Sequence, residues 1–80
     1  RWKVILLNDD STPMEFVVEM LVEIFKHTND SAKDIMLQVH ETGSGIAGIY
    51  SFEIAEAKAV EATNQARQSG FPLQLKLEEE

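Results

Sequence analysis

A largely apolar run near the start of the chain ends abruptly at three polar residues, and this boundary constrains the fold most. Residues 2–7 (WKVILL) are followed by Asn-Asp-Asp, which predicts a short strand in the centre of a sheet. Residues 12–15 (TPME) then place a hydroxyl, a proline and a carboxylate at the spacing of a capping box, which predicts a helix start. The chain is therefore expected to pass from a strand into a helix through one short loop.

The rest of the chain divides into further segments with clear start and stop signals. The predicted elements are a helix that reaches about His27, a second helix over 28–43, a strand around 46–50, a third helix over 51–70 and a strand over 71–77. The order strand-helix-helix-strand-helix-strand predicts an α+β domain in which helices pack on a three-stranded sheet.

Length, composition and charge limit the possible functions. Eighty residues, 44% of them hydrophobic and 26% charged, predict a single folded domain over 1–80, with an acidic solvated tail at 78–80. No apolar stretch is long enough to span a membrane, and the absence of cysteine excludes thiolate metal sites and favours a cytoplasmic setting. A net charge of -7 argues against nucleic acid and favours cationic or amine-bearing partners. A longer N-terminus is expected to precede Arg1.

Two chemical signals are weak when their surroundings are considered. Residues 43–48 match the dinucleotide-binding pattern G-x-G-x-x-G, but that pattern needs a strand before it and a helix after it. Here the predicted order is reversed, so a helix stop and a turn explain the glycines. A small metal-dependent enzyme that uses Asp9, Asp10 and His40 is an alternative, although metal-ligand spacing is absent. A general interaction domain that docks through the third helix is another.

Residues from separate segments are expected to meet at one pocket. Taken singly, each has a structural explanation: residues 8–10 as a turn, the methionines as core, and His40 as a histidine at the edge of the core. If the first two helices pack side by side, however, their methionines and valines would line a pocket with Asn8, Asp9 and His40 at its rim. An apolar floor beside hydrogen-bond acceptors complements a bulky apolar group next to an ammonium. The first residue of a peptide chain has both.

Four segments, VILLNDDSTPMEFVV, IMLQVH, SFEIAEAKA and GFPLQLKLE, resemble the ClpS family. Members of that family are adaptors that deliver N-degron substrates to the bacterial AAA+ protease ClpAP. The resemblance covers essentially the whole chain and keeps the order and spacing of the motifs. It implies a domain with three antiparallel strands and three helices. It also implies a monomeric adaptor rather than an enzyme, without a cofactor.

The resemblance further implies roles for individual residues. Asn8, Asp9 and His40 would hold the free α-amine of the substrate, with Asp10 beside them at the rim. In the family, the side-chain pocket admits Phe, Tyr, Trp and Leu and rejects β-branched side chains. Its residues here would be Thr12, Met14, Val17, Met36, Val39 and Leu73, with Met14 as gatekeeper. Glu53 and Lys58, both expected to be exposed on the third helix, match the contact with the N-domain of the unfoldase ClpA.

Overall fold

The computed structural model describes residues 1–80 and contains three strands and three helices. Along the chain these are β1 Trp2–Leu7, α1 Met14–Glu23, α2 Asn29–Thr42, β2 Ser44–Tyr50, α3 Phe52–Gln68 and β3 Gln74–Glu79. Both neighbours of β1 are antiparallel to it, and the strand order is β2-β1-β3. The predicted α+β class, the element order and the central position of β1 are confirmed.

The core lies between the sheet and the helices. Val4 and Leu6 of β1 are completely buried, which explains why the first strand is so rich in apolar residues. Met20 and Leu21 of α1 contribute two further large side chains that are fully buried. Burial of each of these side chains stabilises the fold by roughly 1.5–3 kcal/mol. The buried residues of α3 are all alanines, which allow this helix to lie close to the sheet: Ala55, Ala62 and Ala66.

A bulge interrupts the pairing of β1 with β2. Val4 lies opposite Gly48, but the next residue, Ile5, lies opposite Ile46, so Ala47 is left without a partner on β1. The Ala47 carbonyl is hydrogen-bonded to Nε2 of His27 instead. The bulge therefore provides the hydrogen-bond acceptor that attaches the α1–α2 turn, residues 24–28, to the sheet.

Both ends of α1 differ from the prediction. Pro13 is the N-cap and no side chain caps the helix; Thr12 lies one residue earlier, and its hydroxyl donates to Asp9. At the other end, α1 stops at Glu23 and does not reach His27. Lys26 adopts a left-handed φ of 62°, and the His27 N–H donates to the Leu21 carbonyl at 3.1 Å. The chain therefore turns away after Glu23, and α1 ends before the apolar pattern of the sequence does.

Most of the segment predicted to be an acidic solvated tail belongs to a strand. Glu78 and Glu79 pair with Lys3 and Trp2 of β1, and the Glu80 N–H donates to the Arg1 carbonyl at 2.9 Å. The side chains are exposed, as expected, and their ion pairs with Arg1 and Lys3 at the surface contribute about 0–1 kcal/mol each. Strand pairing therefore orders this segment.

None of the three helices is both long and apolar enough to cross a membrane.

Candidate functional site

A cavity of about 170 Å³ opens where the end of β1 meets α1 and α2. Its walls are formed by nine residues from these three segments: Asn8, Asp9, Asp10, Thr12, Met14, Val17, Met36, Val39 and His40. Val17 and Val39 are buried and form an apolar floor. Since an apolar cavity of about 150 Å³ is large enough to hold a benzene ring, this one has room for a single aromatic side chain.

The rim is assembled by a hydrogen bond between two chain segments that are distant in sequence. The Asn8 N–H donates to the Gly43 carbonyl at 2.9 Å and ties the end of β1 to the end of α2. Gly43 is the C-cap of α2 and has a φ of 95°, a conformation that glycine adopts without strain. His40 lies one helical turn earlier on α2. Asn8 and His40 are thereby placed on the same rim.

Gly45 controls how closely α2 approaches the sheet. A Cβ atom at this position would lie only 2.8 Å from Cγ2 of Val39 and 3.4 Å from the Ile35 carbonyl oxygen. The missing side chain therefore lets α2 settle onto β2 and places Val39 in the cavity floor. The sequence pattern gives Gly45 only as part of a turn. The one sequence signal that could have indicated this contact is the presence of a second glycine two residues after the helix stop at Gly43.

The carboxylate of Asp9 organises the loop between β1 and α1. One oxygen accepts from the N–H groups of Ser11 and Thr12 at 2.8 and 2.7 Å, and the other accepts from the Thr12 hydroxyl at 2.8 Å. Burial by itself raises the pKa of Asp9. The hydrogen bonds and the positive charge of Arg67 outweigh that effect and hold the pKa below its ordinary value of 3.8. Asp9 is therefore ionised at neutral pH, with one acceptor position left on Oδ2.

The side chains of the other polar residues at the rim make no hydrogen bonds within the protein. Asn8, Asp10 and His40 are exposed, and the side-chain hydrogen bonds within this loop all involve Asp9. Asp10 thus presents a carboxylate whose acceptor positions are all open toward the cavity mouth. The rim combines one carboxylate that holds the loop with three polar side chains that are available to a ligand.

Leu73 is the one predicted pocket residue that does not line the cavity. It is only 1% exposed and belongs to the core, immediately before β3 begins. The segment that contains it packs toward α1, where the rings of Phe71 and Phe16 meet edge-on with centroids 5.1 Å apart. Arg67 fixes this segment by donating to the carbonyls of Phe71 and Leu73, each at 2.8 Å. Leu73 therefore supports the core rather than the cavity wall.

The two residues predicted to contact the unfoldase have different surroundings on α3. Glu53 is exposed in the first turn. Lys58 is partly buried: its Nζ donates to the Ile24 carbonyl at 2.8 Å and lies 5.4 Å from the centroid of the Tyr50 ring. The prediction that Lys58 is exposed is wrong, because the carbonyl groups at the end of α1 attract its charge. Lys58 holds α3 against the end of α1.

The alternative chemistries find little support at this site. No group of three or more histidine, cysteine or carboxylate side chains could hold a metal ion, although Asp9, Asp10 and His40 all line the cavity. The glycine-rich segment has the order predicted from the sequence: α2 ends at Thr42, Gly43 caps it, and β2 begins at Ser44. A phosphate loop needs a helix N-terminus after its glycines, and a strand follows here.

The structure is thus a small α+β domain with a cavity large enough for one side chain. The family described as "ATP-dependent Clp protease adaptor protein ClpS" matches residues 1–76, so the chain belongs to the ClpS family. This is a family of adaptors and not of catalytic enzymes.

Individual relatives agree with this assignment. The Clp protease adapter proteins of Gluconobacter oxydans and Wolinella succinogenes are 49% and 51% identical over 99% of this chain. The chain spans 66% and 78% of their lengths, respectively. A solved structure of Agrobacterium tumefaciens ClpS2 bound to L-phenylalaninamide is 42% identical, with a TM-score of 0.95. The match covers 99% of this chain and 95% of that one.

Proposed function

We propose that this chain recognises the first residue of N-degron substrates and delivers them to the ClpA unfoldase of the ClpAP protease. The observation that carries the proposal is the cavity, which combines room for one ring with an acceptor-rich rim. A free α-amine and a bulky apolar side chain occur together on one residue only at the start of a polypeptide. The ligand is therefore expected to be an N-terminal Phe, Tyr, Trp or Leu.

The rim has the groups needed to hold an ammonium. An ammonium donates three hydrogen bonds, and the acceptors proposed for it are the Asn8 side-chain oxygen, the free position on Asp9 and a ring nitrogen of His40. Asp10 offers a second carboxylate without any partner in the protein, so we place it beside the amine as well. Hydrogen bonds to a charged group contribute roughly 1.5–3 kcal/mol each. Asp9 has the further role of shaping the loop.

The cavity floor supplies the apolar part of the binding energy. Removing about 150 Å² of an aromatic side chain from water stabilises the complex by about 4 kcal/mol. Losses of translational and side-chain freedom subtract several kcal/mol. Together with the hydrogen bonds at the rim, the remainder corresponds to micromolar or somewhat tighter affinity. An adaptor has to release its cargo, and this range allows release.

The ligand of the Agrobacterium ClpS2 structure has the chemistry that the proposal requires. L-Phenylalaninamide carries a free α-amine, an aromatic side chain and an amide group in the position where a second residue would continue. The 42% identity over almost the whole chain supports the same class of ligand here.

Delivery is proposed to use α3. Glu53 is available for contact with the N-domain of ClpA, whereas Lys58 acts by fixing the orientation of the helix through its bond to Ile24. The monomeric state remains a prediction from the family resemblance. The cytoplasmic setting and the absence of nucleic-acid and membrane partners remain predictions from composition, charge and hydropathy.

A panel of peptides that differ only at the first residue tests the proposal. Peptides that begin with Phe, Leu, Val, Arg or acetyl-Phe on one common tail are titrated by fluorescence anisotropy. We expect Phe and Leu to bind, and Val and Arg to bind weakly. Acetylation should reduce affinity at least about 100-fold, because it removes the charge and two donors. Equal affinities across the panel would instead indicate a general interaction domain, and undiminished binding of acetyl-Phe would exclude amine recognition.

A further inference from the structure

A second depression adjoins the cavity on the outer side of the α1–α2 pair. It is an open groove of about 380 Å³, lined by six residues from the two helices: Met14, Glu15, Val18, Glu19, Lys33 and Met36. Met14 and Met36 also line the cavity. The cavity and the groove therefore share a wall, and one extended ligand can reach both.

The surface of the α1–α2 groove is almost entirely apolar. Met14, Val18 and Met36 form its floor, and Val18 and Met36 pack against the core from below. Glu15, Glu19 and Lys33 contribute their aliphatic stems and extend their charges outward. Apolar surface that faces water in this way gains free energy when a ligand covers it.

Peptide geometry determines which residue would reach the α1–α2 groove. In an extended chain successive side chains point to opposite faces, so the first and third residues face the same side. They are separated by about 6.6–6.8 Å, and the cavity and the groove are adjacent because Met14 and Met36 line both. With the first side chain in the cavity, the third points toward the protein while the second points away.

We infer that the α1–α2 groove is a subsite for the third residue of the bound peptide and that it prefers an unbranched or γ-branched apolar side chain, such as Met or Leu. This inference rests on the proposed function of the cavity. A similar groove of about 330 Å³ between α3 and β3 shares no residue with the cavity, so a peptide held there would not be selected together with its first residue.

Three protein variants separate this subsite from the cavity. Val18→Ser removes apolar surface from the α1–α2 groove, and Val18 does not line the cavity. Val18→Thr keeps the branched shape and replaces one methyl group with a hydroxyl, so it is the second variant to use if Val18→Ser folds poorly. Val60→Ser makes the same chemical change in the α3–β3 groove, where Val60 is 53% exposed, and is the matched control.

The peptides begin with Phe-Ala-Leu, Phe-Ala-Ser, Phe-Leu-Ser or acetyl-Phe-Ala-Leu on one common tail, and their affinities are measured by fluorescence anisotropy. We expect Phe-Ala-Leu to bind about fivefold more tightly than Phe-Ala-Ser, and Phe-Leu-Ser to bind like Phe-Ala-Ser. Val18→Ser should remove this preference, Val18→Thr should reduce it, and Val60→Ser should retain it.

The possible failures are distinguishable. If a free N-terminal Phe is required but the third residue makes no difference, the subsite is excluded and the proposed function stands. The same conclusion follows if the preference depends on the second residue, or if it is unchanged in both Val18 variants. If acetyl-Phe-Ala-Leu binds as well as Phe-Ala-Leu, the proposed function fails and the subsite inference fails with it.

Discussion

The α1–α2 turn and the rim of the cavity each contain one histidine, and the two have opposite surroundings. His27 is partly buried, and both of its ring nitrogens have partners in the protein. Since the Ala47 carbonyl can only accept, Nε2 of His27 carries the proton, and in the neutral ring Nδ1 accepts from the Ser31 hydroxyl. His40 is exposed at the rim, where its partners have to come from solvent or from a ligand.

This difference shows which polar groups serve the fold and which remain free for binding. A polar group in the protein interior has to be paired, and loss of its partner costs stability. A polar group at an exposed rim is hydrated in the free protein, so its loss has little effect on folding. The α1–α2 turn is therefore expected to control stability, and the rim to control affinity. The following variants test that separation.

The largest effects are expected when each histidine is replaced by alanine. His40→Ala should weaken binding of a Phe-headed peptide about tenfold or more, because one hydrogen bond to a charged group is lost. Its free energy of unfolding should change by less than about 0.5 kcal/mol. His27→Ala should lower the free energy of unfolding by about 1–3 kcal/mol, since the Ala47 carbonyl loses its donor. Urea denaturation and peptide titration measure the two quantities.

The proposed division between a turn that controls stability and a rim that controls affinity would be wrong if His40→Ala lost stability without losing affinity. It would also be wrong if the folded fraction of His27→Ala bound the peptide about tenfold more weakly than the unmodified protein.

A smaller effect is expected at the cavity wall. Met14 is 43% exposed, so Met14→Ala should change the shape of the cavity with little loss of stability. The widened entrance should increase the affinity for Val- and Ile-headed peptides about tenfold relative to Phe. Titration of both peptide types against both proteins measures this ratio. An unchanged ratio would remove Met14 from the role of gatekeeper.

The smallest effect concerns Asp9, which belongs to the rim but also shapes the loop. Asp9→Asn keeps an oxygen for the Ser11 and Thr12 N–H groups and removes the charge, so it should lower the free energy of unfolding by about 1 kcal/mol at neutral pH. Folding lowers the pKa of Asp9, so its contribution is fully present above the ordinary value of 3.8. The contribution is lost as the pH falls through the lower pKa of the folded protein.

Urea denaturation over a range of pH tests this dependence, with Asp10→Asn as the matched control. The unfolding free energies of the unmodified protein and Asp9→Asn should converge in acid, while Asp10→Asn should differ little from the unmodified protein at neutral pH, because the Asp10 carboxylate has no hydrogen-bond partner in the protein. A gap for Asp9→Asn that does not narrow as the pH falls below 3.8 would show that the charge of Asp9 does not stabilise the loop.

Much of the fold was predictable because its signals are local. The apolar run over 2–7, the hydroxyl at Thr28 and the glycine at Gly43 each act on adjacent backbone, and the structure places a strand, a helix start and a helix stop there. The ends of α1 were not predictable in this way. Thr12 had two possible partners, and the Asp9 side chain competes successfully with the helix backbone.

The members of the cavity were also named from the sequence, in part from the expected packing of the first two helices and in part through the family resemblance. All nine residues that line it were expected there, while Leu73 was expected and lies in the core. A position in a motif indicates that a residue matters. It does not indicate whether the side chain faces the ligand or the core, because packing partners decide that.

The sequence by itself determined the order of the elements and the α+β class, since periodicity, capping and motif spacing are properties of neighbouring residues. Together with the family resemblance, it also indicated the residues at the cavity. Only the tertiary structure decided that Asp9 is engaged and Asp10 free, that Lys58 is tied to the end of α1, and that Gly45 admits Val39 to the cavity floor. Each of these depends on the distance between atoms of segments that folding brings together or on competition for a hydrogen-bond partner. Neither the distance between such segments nor the outcome of such a competition produces a periodic pattern in the sequence.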